Sequence, residues 1–128
     1  KNISLIISTH EIQEVMPWLD QIIVLQQGRL IQNDSPRDIY SNPYNAYVAK
    51  LFGEVNIFSD EEKAAFGLSK NFWYPNEIKI ASSGKEARIL ESRFAGNHYW
   101  NKVLVSGKEL TIYSDTHLYG ESAVHFAD

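Results

Sequence analysis

Residues 5–15 read Leu-Ile-Ile-Ser-Thr-His-Glu-Ile-Gln-Glu-Val, and this stretch decides the first part of the fold. The apolar, largely β-branched run at 3–8 is typical of a strand buried on both faces, as in parallel sheets. Thr9 can cap the helix predicted to follow, whose first turn carries two carboxylates near its positive end. Because ligands of open α/β sheets bind at the carboxyl ends of the strands, His10 stands where it can reach a phosphate or a reacting water. The chain starts one strand before this junction and lacks an initiator methionine, so we expect it to be the tail of a larger protein.

A hairpin and two short helices are predicted after this junction. Pro17 would clash in a helix interior, so the first helix is expected to be short or kinked. Gln27-Gly28 is a turn signal between two apolar runs. Ser35, directly ahead of a proline, begins the next helix, and Gly53 ends the last one. The predicted elements are strands at 22–26 and 29–32 and helices that start at Ser35 and span 44–52.

The second part of the chain has a different pattern. Residues 54–71 are charged and only weakly periodic, which predicts a linker with a single helical turn. Residues 72–128 alternate between short apolar strands and turn signals, a spacing typical of a small barrel or sandwich. The predicted strands are 78–80, 87–94, 99–105, 110–113 and 123–126. The sequence therefore predicts an α+β chain with three parts, at 1–53, 54–71 and 72–128.

The composition excludes several classes of protein. The net charge is −4, whereas a dedicated nucleic-acid binder should show a basic surplus, so no nucleic-acid partner is expected. No stretch approaches the roughly 18 apolar residues of a membrane span. The chain has no cysteine, which excludes disulfides and thiolate metal sites and suits a reducing cytosol.

Four motifs, in order, resemble the end of the ATP-binding subunit of ABC importers, in the subgroup that serves iron(III), sulfate, polyamines and sugars. They are Ser8-Thr9-His10-Glu11-x-x-Glu14, Asp20-Gln21-Ile22-Ile23-Val24-Leu25-x-x-Gly28-Arg29-Leu30, Ser35-Pro36-x-x-Ile39-Tyr40 and Pro43-x-x-x-Tyr47-Val48-Ala49-x-Leu51-Phe52-Gly53. Residues 72–128 resemble the C-terminal TOBE domain of that subgroup, from Tyr74-Pro75-Asn76-Glu77-Ile78 onward. The resemblance implies that residues 1–53 are the C-terminal strand–helix–hairpin–helix remnant of a P-loop nucleotide-binding domain. It also implies that residues 72–128 form a small OB-like, five-stranded β-barrel.

The resemblance further implies a role for each part. His10 would be the switch histidine, which contacts the γ-phosphate and helps to position the attacking water. Glu14 would support that loop without taking part in the chemistry. The full-length protein would bind ATP and Mg²⁺ and couple ATP hydrolysis to solute import. It would act as a homodimer with transmembrane permease subunits, peripheral to the membrane on its cytoplasmic face, and the TOBE domain would regulate or dimerise it.

The chain departs from the family pattern in four ways. One is that the TOBE segment at 72–128 is short, about one repeat, whereas larger relatives have more strands there, which argues against an intramolecular oxyanion site. Asp34 stands where the family usually has glycine, in a turn that often needs positive φ, which aspartate tolerates better than most residues. Pro17 interrupts the helix after His10. No P-loop, signature motif or acidic magnesium-binding strand occurs in the sequence, so the chain alone is expected to be inactive as an ATPase.

Two alternatives to the importer interpretation remain open for the barrel at 72–128. The first is a stand-alone module that captures a small oxyanion, and the second is a structural dimerisation module, which exposed edge strands would favour. His98, Tyr99 and Trp100 could stack nucleobases, but packing is favoured because no basic residues crowd around them.

The remaining polar groups fit structural roles. His98, His117 and His125 lack the tight spacing of metal ligands, so no metal site is expected. Lys102 and Lys108, near the turn at 106–107, could meet an anion, but a solvated rim is favoured. Ser83-Gly84-Lys85 lacks the longer glycine loop of a phosphate site, and a hairpin turn accounts for it.

Overall fold

The structure is a computed structural model that describes residues 4–5 and 12–127. Its backbone contacts divide the chain into two units, Lys1–Gly53 and Glu54–Asp128. Helices and sheets occur in both units, which confirms the predicted α+β class. Among the helices of the described ranges, none has the length and apolar character needed to span a bilayer.

The first unit contains a small mixed sheet. Its β1 (Ser4–Leu5) runs parallel to β2 (Ile22–Gln26), and β3 (Arg29–Asp34) returns antiparallel to β2. The helices are α1 (Ile12–Val15), continued by a 3₁₀ turn at Met16–Trp18, then α2 (Pro36–Ser41) and α3 (Ala46–Lys50). Buried side chains of this unit include Ile22, Val24, Ile39, Val48 and Ala49.

Local sequence signals set the ends of these helices. Pro17 lies in the 3₁₀ turn that ends α1 after four residues, so the expected short helix is confirmed. Ser35 caps α2, because its Oγ accepts a hydrogen bond from the Asp38 amide at 3.2 Å. Asn45 caps α3 in the same way, through the Val48 amide at 3.0 Å. Each cap satisfies one of the amides that have no partner inside the helix.

Asp34 does not occupy the positive-φ turn that the family pattern indicated. It is the last residue of β3, where it pairs with Ile22, and its Oδ2 accepts a hydrogen bond from Gln32 Nε2 at 2.9 Å. Positive φ occurs instead in the hairpin turn, at Gln27 (53°) and Gly28 (76°). Two consecutive residues with positive φ are what a type I′ turn between twisted strands requires.

The second unit is built on a five-stranded antiparallel sheet that curls into a half-barrel, consistent with the predicted OB-like fold. It begins with β4 (Asn56–Ile57), α4 (Asp60–Phe66), β5 (Phe72–Trp73) and a 3₁₀ turn at Pro75–Glu77. The sheet strands are β6 (Ile78–Ala81), β7 (Lys85–Phe94), β8 (Tyr99–Val105), β9 (Lys108–Ser114) and β10 (Glu121–Phe126). Their order is β6-β10-β7-β8-β9, and all five predicted strands are confirmed.

Residues 54–71, which the sequence pattern indicated as a linker, contribute to the core of this unit. Phe58 and Phe66 are buried there, with ring centroids 5.2 Å apart. Phe126 of β10 packs edge-on to Phe58 at 5.9 Å and to Trp73 at 5.2 Å. The other buried members of this core are Ile78, Ala87, Val103, Val105, Leu110, Ile112 and Val124.

The acidic residues of this segment stabilise the start of α4. Ser59 and Glu62 form a capping box: Ser59 Oγ accepts from the Glu62 amide at 3.1 Å, and Glu62 Oε1 accepts from the Ser59 amide at 2.9 Å. Lys108 Nζ lies 3.2 Å from both Glu62 carboxylate oxygens and so ties α4 to β9. The hydrogen bond from the Ser59 amide, followed by the interaction with Lys108, lowers the pKa of Glu62 below its ordinary value.

Asn56 joins the β4–β5 pair to the edge of the sheet. Its side chain is buried, and its Nδ2 donates to the Trp73 carbonyl at 3.1 Å and to the Thr111 carbonyl at 2.8 Å. Its Oδ1 accepts from the Thr111 amide at 2.7 Å. Because β9 is an edge strand, this amide group takes the place of a neighbouring strand for Thr111.

We expect Asn56→Ala to lower the free energy of unfolding by about 2–4 kcal/mol, because it leaves buried backbone groups of Trp73 and Thr111 without partners. Urea titration monitored by tryptophan fluorescence measures this. The matched control is Asn76→Ala at an exposed position, which should change the free energy by less than about 0.5 kcal/mol. Equal losses for the two variants would contradict the role given to Asn56.

We expect Glu62→Gln to reduce the loss in free energy of unfolding that the chain shows as the pH falls into the acid range. Since the folded state lowers the pKa of Glu62, its carboxylate stabilises the fold above the ordinary value of 4.5. That contribution is lost as the pH falls through the lowered pKa. Urea titrations from about pH 7 down to about pH 3 test this, and Glu61→Gln on the same exposed turn is the control. If the free energy of unfolding of Glu62→Gln changed with pH in parallel with that of the unmodified chain, the role given to the Glu62 carboxylate would be refuted.

Candidate functional site

His10, the site residue predicted from sequence, lies outside the described residues. The structure describes the framework on either side of it. β1 pairs in parallel with β2 through Ser4 and Ile22, and α1 begins at Ile12, whose side chain is 2% exposed. Glu14 is exposed on α1. The assignment of His10 as the switch histidine therefore stays a prediction.

The second unit holds a polar pocket of about 220 Å³. Its walls come from three segments: the 3₁₀ turn with β6, the turn between β7 and β8, and the end of β9. The lining residues are Asn76, Lys79, Asn97, His98, Tyr113, Ser114 and Asp115. The sequence indicated only base stacking, packing or metal binding for His98, because nothing local in it shows that these three segments meet.

His98 has a defined orientation in this pocket. Its ring packs on Tyr113, with centroids 4.1 Å apart and planes inclined by 38°. Its Nδ1 lies 2.6 Å from Asn97 Oδ1. Because an amide oxygen only accepts, Nδ1 is the donor in this contact. The pocket therefore presents a fixed imidazole face next to a phenol.

The phenol of Tyr113 lies beside a carboxylate that a tryptophan holds in place. Trp100 stands opposite Tyr113 in the β8–β9 pair, and its Nε1 donates to Glu54 Oε1 at 2.7 Å. Burial, and secondly the negative charge of Glu54, raise the pKa of the Tyr113 hydroxyl. Tyr113 consequently stays a neutral hydrogen-bond donor well into the alkaline range.

Lys102 and Lys108, the two lysines assigned to a solvated rim, make different contacts. Lys102 lies over the ring of Trp100, with its Nζ 5.5 Å from the centroid. Lys108 pairs with Glu62 and lies over Phe58 at 5.1 Å, so it is part of the packing of α4 and not of the rim. The expectation for Lys108 was therefore wrong, because it overlooked the approach of α4.

The three histidines considered as metal ligands have different surroundings. His98 lines the pocket, whereas His117 packs against Tyr99 at 5.8 Å and Tyr119 at 6.3 Å. His125 is exposed on β10. Across residues 4–5 and 12–127, no group of three His, Cys, Asp or Glu side chains is placed to hold a metal ion.

The segment at Ser83-Gly84 is not the hairpin turn that was predicted. β10 lies between β6 and β7 and pairs with both, so the segment connects two strands that are not neighbours. Gly84 has φ of 137°, and a Cβ at this position would clash with the carbonyl oxygen of Val124. The glycine therefore permits a close approach to β10.

Comparison with known proteins gives a consistent set of relatives. The spermidine/putrescine import ATP-binding protein PotA of Vibrio cholerae is 34% identical over 98 residues, which cover 69% of this chain and 25% of that protein. The proteins of the same name from Pasteurella multocida (47% over 57 residues) and Mannheimia succiniciproducens (48% over 56 residues) each match 44% of this chain and 15% of their own length. No family model matches the chain. The chain thus spans a quarter or less of the length of these relatives.

We expect Glu54→Gln to lower the pKa of Tyr113 while leaving it above its ordinary value, because burial is the larger cause of the shift. Ultraviolet absorbance of tyrosinate during alkaline titration measures the change, and Tyr113→Phe identifies the transition among the seven tyrosines. Glu109→Gln, an exposed acid on β9, is the control. An unchanged Tyr113 transition in Glu54→Gln would show that Glu54 has no electrostatic effect there.

Proposed function

We propose, on the premise that this chain is homologous to a C-terminal part of ABC importer ATP-binding subunits, that it supplies the switch-histidine loop and a regulatory TOBE domain of such a subunit. The observation that carries the proposal is the 34% identity to an import ATP-binding protein over 98 residues. The full-length protein would couple ATP hydrolysis to solute import. Since the relatives are named for spermidine and putrescine, we propose polyamines as the imported class.

His10 is proposed as the switch histidine of this subunit. Its segment follows a strand that pairs in parallel with β2 and precedes α1, an arrangement that suits a ligand site at a strand end. Phosphoryl transfer depends mainly on positioning and on electrostatic stabilisation of the transferred group. A histidine at this position would contribute by contacting the γ-phosphate and orienting the attacking water.

ATP and Mg²⁺ are proposed as cofactors of the full-length protein, where ATP supplies the transferred phosphoryl group. The residues present here do not make a nucleotide site by themselves. The chain has no G-x-x-x-x-G-K-[ST] motif, whose backbone amides and lysine cradle phosphates in P-loop proteins. Catalysis is therefore proposed for the full-length subunit and not for this chain alone.

The second unit is proposed as the TOBE domain. The curled five-stranded sheet and its OB-like character support this assignment. We propose that it regulates or dimerises the subunit, which would work with transmembrane permease partners on the cytoplasmic face of the membrane. The net charge of −4 supports a role that does not involve nucleic acid.

The test is His10→Ala in a full-length subunit assembled with its permease. We expect ATP turnover to fall by roughly 10²-fold or more, the scale of losing a group positioned at the reacting atoms. Binding of ATP, measured separately, should persist because the P-loop is intact. His125→Ala, an exposed histidine on β10, is the matched control and should keep normal turnover. Normal turnover in His10→Ala would refute the switch-histidine role.

A further inference from the structure

The polar pocket lies where the curled sheet is open. β6 and β9 are the two edge strands, and β9 comes close to β6 and to the 3₁₀ turn before it. Asn76 and Lys79 line the pocket from one edge, and Tyr113 and Asp115 line it from the other. A molecule bound here would contact both edges of the half-barrel at once.

Two opposite charges are available in this pocket. Lys79 and Asp115 are both exposed, and neither forms an ion pair within the described residues. Other polar groups are already engaged: Ser114 Oγ donates to the Thr116 carbonyl at 2.7 Å and accepts from Asn101 Nδ2 at 2.9 Å. The pocket thus offers one ammonium and one carboxylate to a ligand.

The remaining lining restricts the size and polarity of a ligand. Every lining residue is polar or ionisable, which favours a ligand that brings charges or hydrogen-bonding groups of its own. The pocket volume of about 220 Å³ is below the roughly 300–1,000 Å³ of sites for drug-sized ligands. A dianion would be repelled by Asp115, and a polycation would be repelled by Lys79.

We propose that this pocket binds a small zwitterion of amino-acid size. Its anionic group pairs with Lys79 and its cationic group pairs with Asp115. The His98–Tyr113 ring pair forms one wall, and the amides of Asn76 and Asn97 supply further hydrogen bonds. The proposal goes beyond the importer assignment and does not depend on it, because binding requires neither ATP nor a permease.

The experiment is calorimetric titration of the 128-residue chain with glycine, L-glutamine, L-arginine and glycine betaine, alongside sulfate and spermidine. We expect saturable binding of at least one of the four zwitterions, and NMR shift changes at the pocket residues. Lys79→Gln and Asp115→Asn should each weaken that binding about tenfold or more, because each removes a charge-assisted hydrogen bond. Lys63→Gln and Glu109→Gln, which change the same charges outside the pocket, should leave the affinity unchanged.

Several outcomes would overturn the proposal. They are no saturable zwitterion binding, binding of sulfate or spermidine alone, or zwitterion binding that both pocket variants retain. Melting curves of each variant establish that it is folded. If Lys79→Gln unfolds, Asp115→Asn and the NMR shift map still test whether the ligand binds in this pocket. Shift changes at Glu86 and Arg88, which line another cavity, would place the ligand there and contradict the proposal.

Discussion

The second unit depends on the side chain of Asn56. This buried amide bonds to backbone groups of Trp73 and Thr111, which lie 17 and 55 residues away in sequence. It brings the start of the unit to the edge of its sheet and gives the edge strand β9 hydrogen-bond partners there. Backbone groups that are buried without a partner are costly, so the bonds of Asn56 stabilise the observed placement of β4 and β5.

The packing of α4 follows from that placement. Once β4 is held against β9, Phe58 enters the core directly after it, and Phe66 meets Phe58 at the other end of the helix. Lys108 then bridges back from β9 to Glu62. Hydrogen bonds, aromatic packing and an ion pair thus act on the same short segment, which explains how a charged stretch becomes part of a buried core.

Much of the fold could be predicted from local sequence, and the rest depends on distant contacts. The strands of the sheet were predictable because alternation and turn residues are local signals, and Ser35 was a cap signal of the same kind. The core role of Phe58 and Phe66 was not predictable, since three consecutive acids dominate that stretch. The strand order and the pocket also require knowing which distant segments meet, which no local pattern contains. His10 is identified by sequence resemblance alone.

The position of β10 has a consequence for how the chain is made. β10 comes last in sequence among the five strands of this sheet, yet it lies inside the sheet and is the strand that pairs with β6. During synthesis, β7, β8 and β9 can associate as consecutive hairpins. β6 has no neighbouring strand in the sheet until β10 has been made. The half-barrel is therefore completed only after residue 126 has been added, and a ribosome that stalls before residue 121 would leave β6 and its apolar side chains exposed to the chaperones of the cell.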